Sequence, residues 1–427
     1  MLKKQSIRLG KLVKKTMQLR GGGSALPGLV VEKLNPHFLR DALNTLPRGV
    51  VVVSGTNGKT TTTKIIVQLL RSTGLRVLTN PSGSNFTRGI AASLLSHVKS
   101  DGSLQDFDIA VLELDEAHAV HFIQTVAPRY TLILNVLRDQ LDRFGEIDHT
   151  AKLLECVVAK TTHGVVLNRD DVLVRQIATH LPDTVSTAYF GASDELLHLF
   201  PSDADLHGST TTTTPTPEPS PEDVILEQLD GHTVTFTFGA DRQSALTLKL
   251  DGIHNALNAA AALALVRMVA QDAPSQQLLE ELASVKPAFG RGEAIEINGQ
   301  PLEIVLVKNP SGFRLSLQSY TSQPAVTMIA INDLYADGRD MSWLWDVDFS
   351  SLQASGVQVV SGLRAYDMAL RLQYDDIKVG TVVPAVETAV QNFIRHSTGP
   401  KRIYCTYTAM LALRRELARQ HELEPIE

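Results

Sequence analysis

The feature that most constrains the fold of this chain is a glycine-rich turn that joins an apolar run to an amphipathic segment. Residues 50–54 read VVVVS, a continuous β-branched run that is typical of a strand buried on both faces. Residues 60–74 read TTTTKIIVQLLRSTG, which places its Ile and Leu residues on one helical face and Gly74 at the C-terminal cap. The sequence therefore predicts a buried strand, a tight turn and a helix, in that order.

The turn, Ser54-Gly55-Thr56-Asn57-Gly58-Lys59-Thr60-Thr61, has the composition of a phosphate-binding loop. Such a turn exposes backbone N–H groups to phosphate oxygens, and the helix N-terminus adds positive potential. Lys59 is placed to reach the β- and γ-phosphates of ATP, and the Thr60 hydroxyl is placed to hold Mg²⁺. The usual GxxxxGK[ST] pattern has glycine at residue 53, where this chain has valine, so the loop is a shorter variant. The predicted nucleotide-binding residues are Gly55, Thr56, Asn57, Gly58, Lys59, Thr60 and Thr61.

Acidic and polar residues follow two further apolar runs. Glu113-Leu114-Asp115-Glu116 ends the run at 109–114, and ligands of an open α/β sheet gather at the carboxyl ends of strands. We expect Glu113, with Glu116 as second choice, to complete a magnesium site with Thr60; the alternative is that these acids are merely solvated. Residues 135–145, NVLRDQLDRFG, follow the run at 130–136 and either face the nucleotide or form structural ion pairs.

Strand-like and helix-like segments alternate along most of the chain, which predicts an α/β fold with a mostly parallel sheet. Strands are expected at 50–54, 109–114, 130–136 and 164–168, and a hairpin at 233–238 and 246–250. A second α/β half begins near residue 287. The predicted domains are a basic N-terminal segment (1–47), an ATP-binding central domain (48–286) with an exposed, mobile insertion at 201–222, and a C-terminal α/β domain (287–427).

Charge and cysteine content exclude several classes of protein. The net charge of −6 argues against a non-specific nucleic-acid binder. Two cysteines exclude a disulfide scaffold and fit a reducing cytoplasm. The first 20 residues carry seven Lys or Arg and no acid. A helix there either lies on an anionic membrane surface or packs, solvated, on the domain behind it.

Several motifs in this order resemble the Mur ligase family: GTNGKTTTT, the strand-end glutamate, NVLRDQLDRFGEID, DGIHNALNAAAALAL and GRGE. That family joins amines to carboxylates through an acyl phosphate made with ATP. In the second half, LVKNPSGF (306–313) and INDLYADGRDMSWLWDVDF (331–349) resemble the MurT group of this family. The resemblance covers nearly the whole chain, except the stretch near 201–222, and implies a Mur-ligase-like P-loop central domain with a Rossmann-like C-terminal domain.

The resemblance also implies roles for single residues. Lys59 and Thr60 would bind the triphosphate and Mg²⁺, with Glu113 as second metal ligand, and Asn255 would face the adenine. Arg291 of GRGE would touch the phosphates, and Lys308 of VKNP would lie near the acyl phosphate.

The sequence departs from the family at several positions. Gln140 replaces a frequent histidine, and Val305 or Leu306 stands where an acid often holds the ribose. Lys152 lies near a lysine that is carbamylated in some members, but the simpler interpretation is a cation on the surface of a helix. Many MurT proteins carry a four-cysteine zinc ribbon, which two cysteines cannot form, so we expect no zinc.

The source of the amine can be argued from the cysteines. Cys156, in an apolar helical pattern, and Cys405, in a strand, both read as buried core thiols rather than activated nucleophiles. The chain therefore takes free ammonia, another amine, or ammonia from a partner. The resemblance implies a GatD-type glutaminase whose Cys–His pair is completed by an aspartate of this chain, Asp340 first, then Asp337 or Asp333. The alternative is that these aspartates form a solvated loop.

Taken with the resemblance, the sequence predicts amidation of the D-glutamate α-carboxyl of lipid II, with ATP and Mg²⁺ and with ammonia from a glutaminase in a heterodimer. The predicted location is the cytoplasm, with peripheral contact at the inner membrane leaflet and no nucleic-acid partner. Two alternatives stay open: an amino-acid ligase of the same superfamily that acts on a soluble substrate, and a non-catalytic nucleotide-binding scaffold.

Overall fold

The computed structural model describes residues 2–19, 25–80, 86–137, 147–182, 184–200, 217, 220–250, 252–286, 291–297, 299–320, 324–419 and 421. The chain divides into two compact units. The first contains the described residues up to Val136, Ile147–Lys249 and Asn255–Val285, and the second contains those from Lys286 onward with short pieces near residues 137 and 250–254.

The first unit is built from ten strands and the helices that cover them. Its strands are β1 (Val50–Ser54), β2 (Val77–Thr79), β3 (Ile109–Glu113), β4 (Tyr130–Ile133), β5 (Gly164–Asn168), β6 (Ser186–Ala192), β7 (Val224–Asp230), β8 (Thr233–Phe238), β9 (Asp241–Arg242) and β10 (Leu246–Thr247). Its helices are α1 (Leu2–Leu19), α2 (Ala25–Leu34), α3 (Phe38–Leu43), α4 (Lys59–Ser72), α5 (Thr87–Leu94), α6 (Glu116–Ile123), α7 (Ile147–Val158), α8 (Val172–Ile177), most of α9 (Ile253–Val269), and α10 (Ser275–Ser284). Short 3-10 helices lie at Ala178–His180 and Leu197–Leu199.

The ten strands form one sheet in the order β10-β8-β7-β6-β5-β4-β1-β3-β2, with β9 beside β8. The strands from β2 to β7 pair in parallel, and β8 to β10 add an antiparallel edge. The first strand lies between β3 and β4, so the chain leaves it at the point where the strand order reverses. Ligands of open α/β sheets bind at such a switch point.

Two apolar clusters hold the helices of this unit against the sheet. One joins buried residues of α2, α3, α5 and α6 to alternate residues of β1 and β3, and the other joins α7 and α8 to β5. Helix α1 contributes Ile7, which is 2% exposed. The N-terminal segment is therefore packed onto the first unit.

The second unit is a smaller α/β layer. Its elements are β11 (Arg291–Ile297), β12 (Gln300–Leu306), α11 (Pro310–Ser319), β13 (Val326–Ala330), β14 (Val357–Ser361), α12 (Ala365–Tyr374), β15 (Val379–Val383), α13 (Val386–His396), β16 (Lys401–Cys405) and α14 (Tyr407–Leu417), with short 3-10 helices at Ser342–Asp346 and Ser350–Leu352. The sheet order is β11-β12-β16-β13-β14-β15, parallel except for the pair β11–β12. Apolar clusters cover both faces of the sheet, as a parallel sheet requires.

The predicted α/β class with parallel sheets is confirmed. The predicted strands at 50–54 and 164–168 agree with the structure, and those at 109–114 and 130–136 end one and three residues early. The hairpin prediction was incomplete, because β8 pairs with β7 as well as with the short β10. The short or weakly patterned strands β2, β6, β7 and β9 of the first unit were not predicted. No helix in the described ranges is long and apolar enough to cross a membrane.

Candidate active site

The glycine-rich loop lies between β1 and α4, at the carboxyl end of the sheet. Gly55 has φ +125° and Gly58 has φ +87°, both in the region that favours glycine. A Cβ atom on Gly55 would lie 2.9 Å from the backbone N of Asn135. The two glycines therefore bend the chain sharply into the first turn of α4.

Asn135, which follows β4, fixes the shape of the loop. The backbone N–H of Thr56 donates to the Asn135 carbonyl (3.1 Å), and that of Asn57 donates to its side-chain Oδ1 (2.8 Å). The Asn135 amide donates back to the Asn57 carbonyl over 3.1 Å. The sequence marked Asn135 only as a polar residue after a strand, and its role in holding the loop depends on β1 and β4 being neighbours.

Lys59, the first residue of α4, is directed into the loop and its side chain is 8% exposed. Its Nζ donates to the Gly55 carbonyl over 2.6 Å. It forms ion pairs with Asp115 (3.1 Å) and Glu116 (3.6 Å), which lie at the start of α6. With a longer hydrogen bond to the Thr56 carbonyl (3.4 Å), the ammonium group is held within the loop by two carbonyls and two carboxylates.

The predicted pair Thr60 and Glu113 is brought together by the fold. The Thr60 hydroxyl donates to Glu113 Oε1 over 3.0 Å. The amide of Asn80, after β2, exchanges two hydrogen bonds of 3.0 Å with the Glu113 backbone. The end of β3 is therefore fixed, and the Glu113 carboxylate is directed at the N-terminus of α4.

The donor groups around this loop fit a divalent cation with oxygen ligands. Thr60 supplies a hydroxyl, and Glu113, Asp115 and Glu116 supply three carboxylates against the single ammonium of Lys59. Glu116 is 2% exposed, and its Oε2 has no hydrogen-bond partner among the described residues. Hard oxygen donors of this kind suit Mg²⁺, and Thr60 and Glu113 are the two that the fold places within hydrogen-bond distance of each other.

Two asparagines of α9 lie behind the loop. Asn255, predicted to face the adenine, is 2% exposed and accepts a hydrogen bond from the Asn258 amide over 3.1 Å. Asn258 Oδ1 lies 2.4 Å from the position of a Cβ on Gly58. Asn258 was not singled out from the sequence, where it is one polar residue in an Ala-rich run. The role of Asn255 in nucleotide binding stays a prediction.

This close approach predicts a large effect of Gly58→Ala. An alanine at φ +87° costs roughly 1–2 kcal/mol in backbone strain, and contact with Asn258 adds roughly 1–3 kcal/mol. We expect a loss of unfolding free energy together with weaker ATP binding, measured by urea unfolding and calorimetry.

Gly74→Ala is the matched control, because Gly74 has the same φ of +87° and, apart from its chain neighbours, no described residue has an atom within 4 Å of the added Cβ. Its unfolding free energy should fall only by the contribution of backbone strain, and its ATP affinity should equal that of the parent. Equal losses of stability and unchanged ATP affinity in both variants would contradict the packing of Asn258 on the loop.

Lys308 and Arg291 belong to the second unit. Lys308 follows β12 and is half-buried, and the next residue, Asn309, caps α11 by accepting from the Gly312 N–H over 2.8 Å. Arg291 begins β11, and its side chain lies outside the described part of the structure. Their catalytic roles stay predictions.

The three candidate aspartates of the second unit differ in their surroundings. Asp337 is buried, accepts from the Thr408 and Leu334 N–H groups (2.7 and 3.1 Å), and burial raises its pKa. Asp333 forms an ion pair with Arg364 over 3.3 Å.

Asp340 is half-exposed and accepts from the Ser342 N–H over 2.9 Å. No described residue donates a hydrogen bond to its other carboxylate oxygen. Asp337 and Asp333 are therefore held by side chains of the same unit, whereas Asp340 accepts from a backbone N–H, and its role toward a partner stays a prediction.

The prediction of two buried thiols was half wrong. Cys405 is buried in β16, and burial raises its pKa. Cys156 is exposed on α7, because the buried face of that helix is formed by Thr150, Leu154, Val157 and Val158. Lys152 is exposed on the same helix.

Gln140, most of the 135–145 motif and most of the 201–222 stretch lie outside the described residues.

Two family models match separate parts of the chain. The Mur ligase middle domain model matches residues 53–266, and the MurT ligase C-terminal model matches residues 306–410. A similar curated protein is the lipid II isoglutaminyl synthase (glutamine-hydrolyzing) subunit MurT of Streptococcus pneumoniae. It is 31% identical over 430 residues, which cover 93% of each chain.

Solved structures show the same fold at lower identity. MurF from Acinetobacter baumannii superposes with a TM-score of 0.67 at 18% identity, covering 91% of this chain and 81% of the other. MurF ligase from Thermotoga maritima in complex with ADP gives a TM-score of 0.65 at 17% identity, covering 92% and 85%.

Proposed function

The chain belongs to the Mur ligase family and, within it, to the MurT group, and from this premise we propose that it amidates the D-glutamate α-carboxyl of lipid II to D-isoglutamine. As a member of this family it is an ATP-dependent ligase, and the MurT relative is named as one subunit of a synthase. The similarity to that subunit of a glutamine-hydrolyzing synthase, over nearly the full length of both chains, is the observation that carries the proposal.

The proposed reaction has two steps. An oxygen of the α-carboxylate first attacks the γ-phosphorus of ATP, so that the bond to ADP breaks and an acyl phosphate forms. The nitrogen of ammonia then attacks the acyl carbon, the C–O bond to phosphate breaks, and inorganic phosphate leaves as the nitrogen loses a proton. The products are the amide, ADP and phosphate.

In the first unit, the glycine-rich loop would bind the triphosphate. Lys59 would exchange its contacts with Gly55 and the two acids for the β- and γ-phosphate oxygens, where it stabilises charge on the transferring group. Thr60 and Glu113 would hold Mg²⁺, which supplies neutralising charge to the phosphates when bound. Lys308 and Arg291 are proposed to stabilise the same charge from the C-terminal domain.

Ammonia is proposed to come from a GatD-type glutaminase subunit. A glutaminase needs an activated cysteine beside a base, whereas Cys405 is buried in a strand and Cys156 is exposed on a helix. Asp340 would orient the histidine of the partner and stabilise its imidazolium form. We propose that residues 287–427 form the domain that docks this subunit, and that residues 1–47 and 48–286 form the N-terminal segment and the ATP-binding domain.

The test of this function is reconstitution. The chain, co-purified with a GatD-type glutaminase, is given lipid II, ATP, Mg²⁺ and glutamine, and the lipid product is analysed by mass spectrometry. We expect the hydroxyl of one carboxyl group to be replaced by an amino group, with one ATP consumed per amide. Turnover with an amino acid and no second subunit would favour the soluble-substrate ligase instead.

An exposed apolar stripe on the second unit is the proposed docking surface for the glutaminase. It consists of Leu363, which lies two residues before α12, of Tyr366, Leu370 and Tyr374 along α12, and of Trp345. Their exposures range from 49% to 70%. Interfaces are enriched in exposed aromatic residues of this kind, which frequently act as hot spots.

The apolar stripe is tied at both ends to the segment that contains Asp340. At its start, the Leu363 N–H donates to Asn332 Oδ1 over 2.9 Å. Further along, Arg371 donates to the carbonyls of Leu344 (3.2 Å) and Val347 (2.7 Å). A subunit seated on the stripe would therefore lie beside the Asp340 segment.

Leu370→Glu tests this surface. Placing a charge in the middle of the apolar stripe should weaken binding of the glutaminase by at least about tenfold, measured by calorimetry, because a desolvated charge has no partner there. Leu34→Glu is the matched control, since Leu34 is also on a helix and also 49% exposed, but in the first unit. Equal affinities of the two variants for the glutaminase would contradict the assignment of the stripe to the interface.

The proposed place of action is the cytoplasm, with peripheral contact at the inner membrane leaflet, where a lipid-linked substrate is found. The basic N-terminal helix is the part of the chain that suggests this contact.

A further inference from the structure

One face of helix α1 packs against the rest of the first unit. Ile7 is buried in the apolar cluster, and a Cβ on Gly10 would lie 2.2 Å from Val31 of α2, so the two helices pack closely. Lys11 donates to the Val98 carbonyl over 2.6 Å and Lys14 to the Ala92 carbonyl over 2.7 Å. Two of its cations therefore hold the helix on the protein.

The opposite face of α1 is exposed and carries only cationic, neutral polar and apolar groups. Lys4, Arg8 and Lys15 are exposed along it, next to Leu9 (44% exposed) and Leu12 (61% exposed). In a helix of 3.6 residues per turn, the three cations fall on one side of this face and the two leucines on the other.

Within the described residues, no ion pair joins Lys4, Arg8 or Lys15 to an acid. Residues 2–19 contain no acid, and the remainder of the chain is negatively charged. The acid of the neighbouring α2, Glu32, is paired with Arg88 over 3.0 Å. Helix α1 therefore forms a local positive surface on an acidic protein.

From this geometry we infer that the outer face of α1 docks the protein on an anionic lipid bilayer. The cations complement the charge of anionic headgroups, and Leu9 and Leu12 are placed to enter the interfacial region beside them. This docking rests on the proposed function, because it would bring the protein to the bilayer in which its proposed lipid-linked substrate lies. Its test is independent, because vesicle binding requires neither ATP nor the partner subunit.

The test is co-sedimentation of the full chain with vesicles of phosphatidylglycerol and phosphatidylcholine, compared with phosphatidylcholine alone, at low and at high salt. We expect binding only to the anionic vesicles and its loss at high salt. The triple variant Lys4→Gln, Arg8→Gln, Lys15→Gln should bind roughly 100-fold more weakly, since each cation contributes about fivefold. Leu9→Ser with Leu12→Ser should also bind more weakly at low salt.

A control with the same net charge comes from Lys160→Gln, Lys249→Gln and Lys378→Gln, which are exposed elsewhere in the chain. It should bind anionic vesicles as the parent does, and circular dichroism checks that all variants are folded. Equal binding of the two triple variants, binding to neutral vesicles, or no binding by the parent would overturn the inference. Tighter binding to single-stranded RNA than to the anionic vesicles would assign the surface to nucleic acid instead.

Discussion

Lys59→Ala is expected to reduce ATP turnover by roughly 10²–10³-fold, because it removes the cation that would stabilise charge on the transferring phosphoryl group. The side chain lies at the N-terminus of α4, within 3.1 Å of Asp115 and 3.6 Å of Glu116. Turnover is measured as phosphate release by the chain with its partner subunit, with lipid II and ammonium as substrates.

The same substitution is expected to destabilise the fold, which must be separated from the loss of chemistry. Glu116 is 2% exposed, and a buried carboxylate without its cation costs about 3–5 kcal/mol. The double variant Lys59→Ala, Glu116→Gln removes that charge and should recover most of the unfolding free energy but none of the turnover.

Lys160→Ala, on an exposed lysine of the same unit, is the control and should have the parent's turnover and stability. Turnover that returns with stability in the double variant would show that Lys59 serves only the fold. If the double variant still binds the glutaminase and the parent has no turnover at all, the non-catalytic scaffold is the better description.

Asp340→Asn is expected to abolish amidation driven by glutamine and to leave amidation driven by ammonium almost unchanged. An asparagine can still accept the hydrogen bond from the Ser342 N–H, so the local turn is kept. It cannot stabilise a histidine cation, for which losses of about 10⁴-fold are known in catalytic triads. Both rates are measured on lipid II with the reconstituted pair.

Asp348→Asn is a matched control, because Asp348 accepts from the Ser350 N–H over 2.8 Å in the same way. It should leave both rates unchanged. Loss of both rates in Asp340→Asn would point to misfolding or to a role in the ligase step, and loss of neither would leave Asp340 without a part in glutamine hydrolysis.

Much of the nucleotide site could be predicted because its signals are local in sequence. The run at 50–54, the glycines at 55 and 58 and the amphipathic segment after them define a strand, a turn and a helix within 25 residues. The pairing of Thr60 with Glu113 also followed, since β1 and β3 are parallel and their carboxyl ends meet at one edge of the sheet.

The residues that shape the loop from outside were not recognised. In the sequence, Asp115 is only one member of an acidic run. Asn135 and Asn258 contact the loop from segments about 80 and 200 residues further along the chain. Their side chains are common polar types without a spacing pattern, so only the packed structure identifies them. Cys156 was misassigned because an apolar run suggested a buried helix, and the actual buried face excludes it.

The sequence alone therefore determined the α/β class, the glycine-rich loop between a strand and a helix, the acid that faces it and the relation to the Mur ligases. These properties depend on residues close together in the chain or on motifs in a fixed order. The tertiary structure alone decided which polar groups hold the loop, which face of α1 is exposed and which candidate aspartates are held by side chains of their own unit. Those properties depend on contacts between segments that are distant in the chain. Such contacts are stable only where the folded chain buries apolar groups and also pairs its buried polar groups by hydrogen bonds.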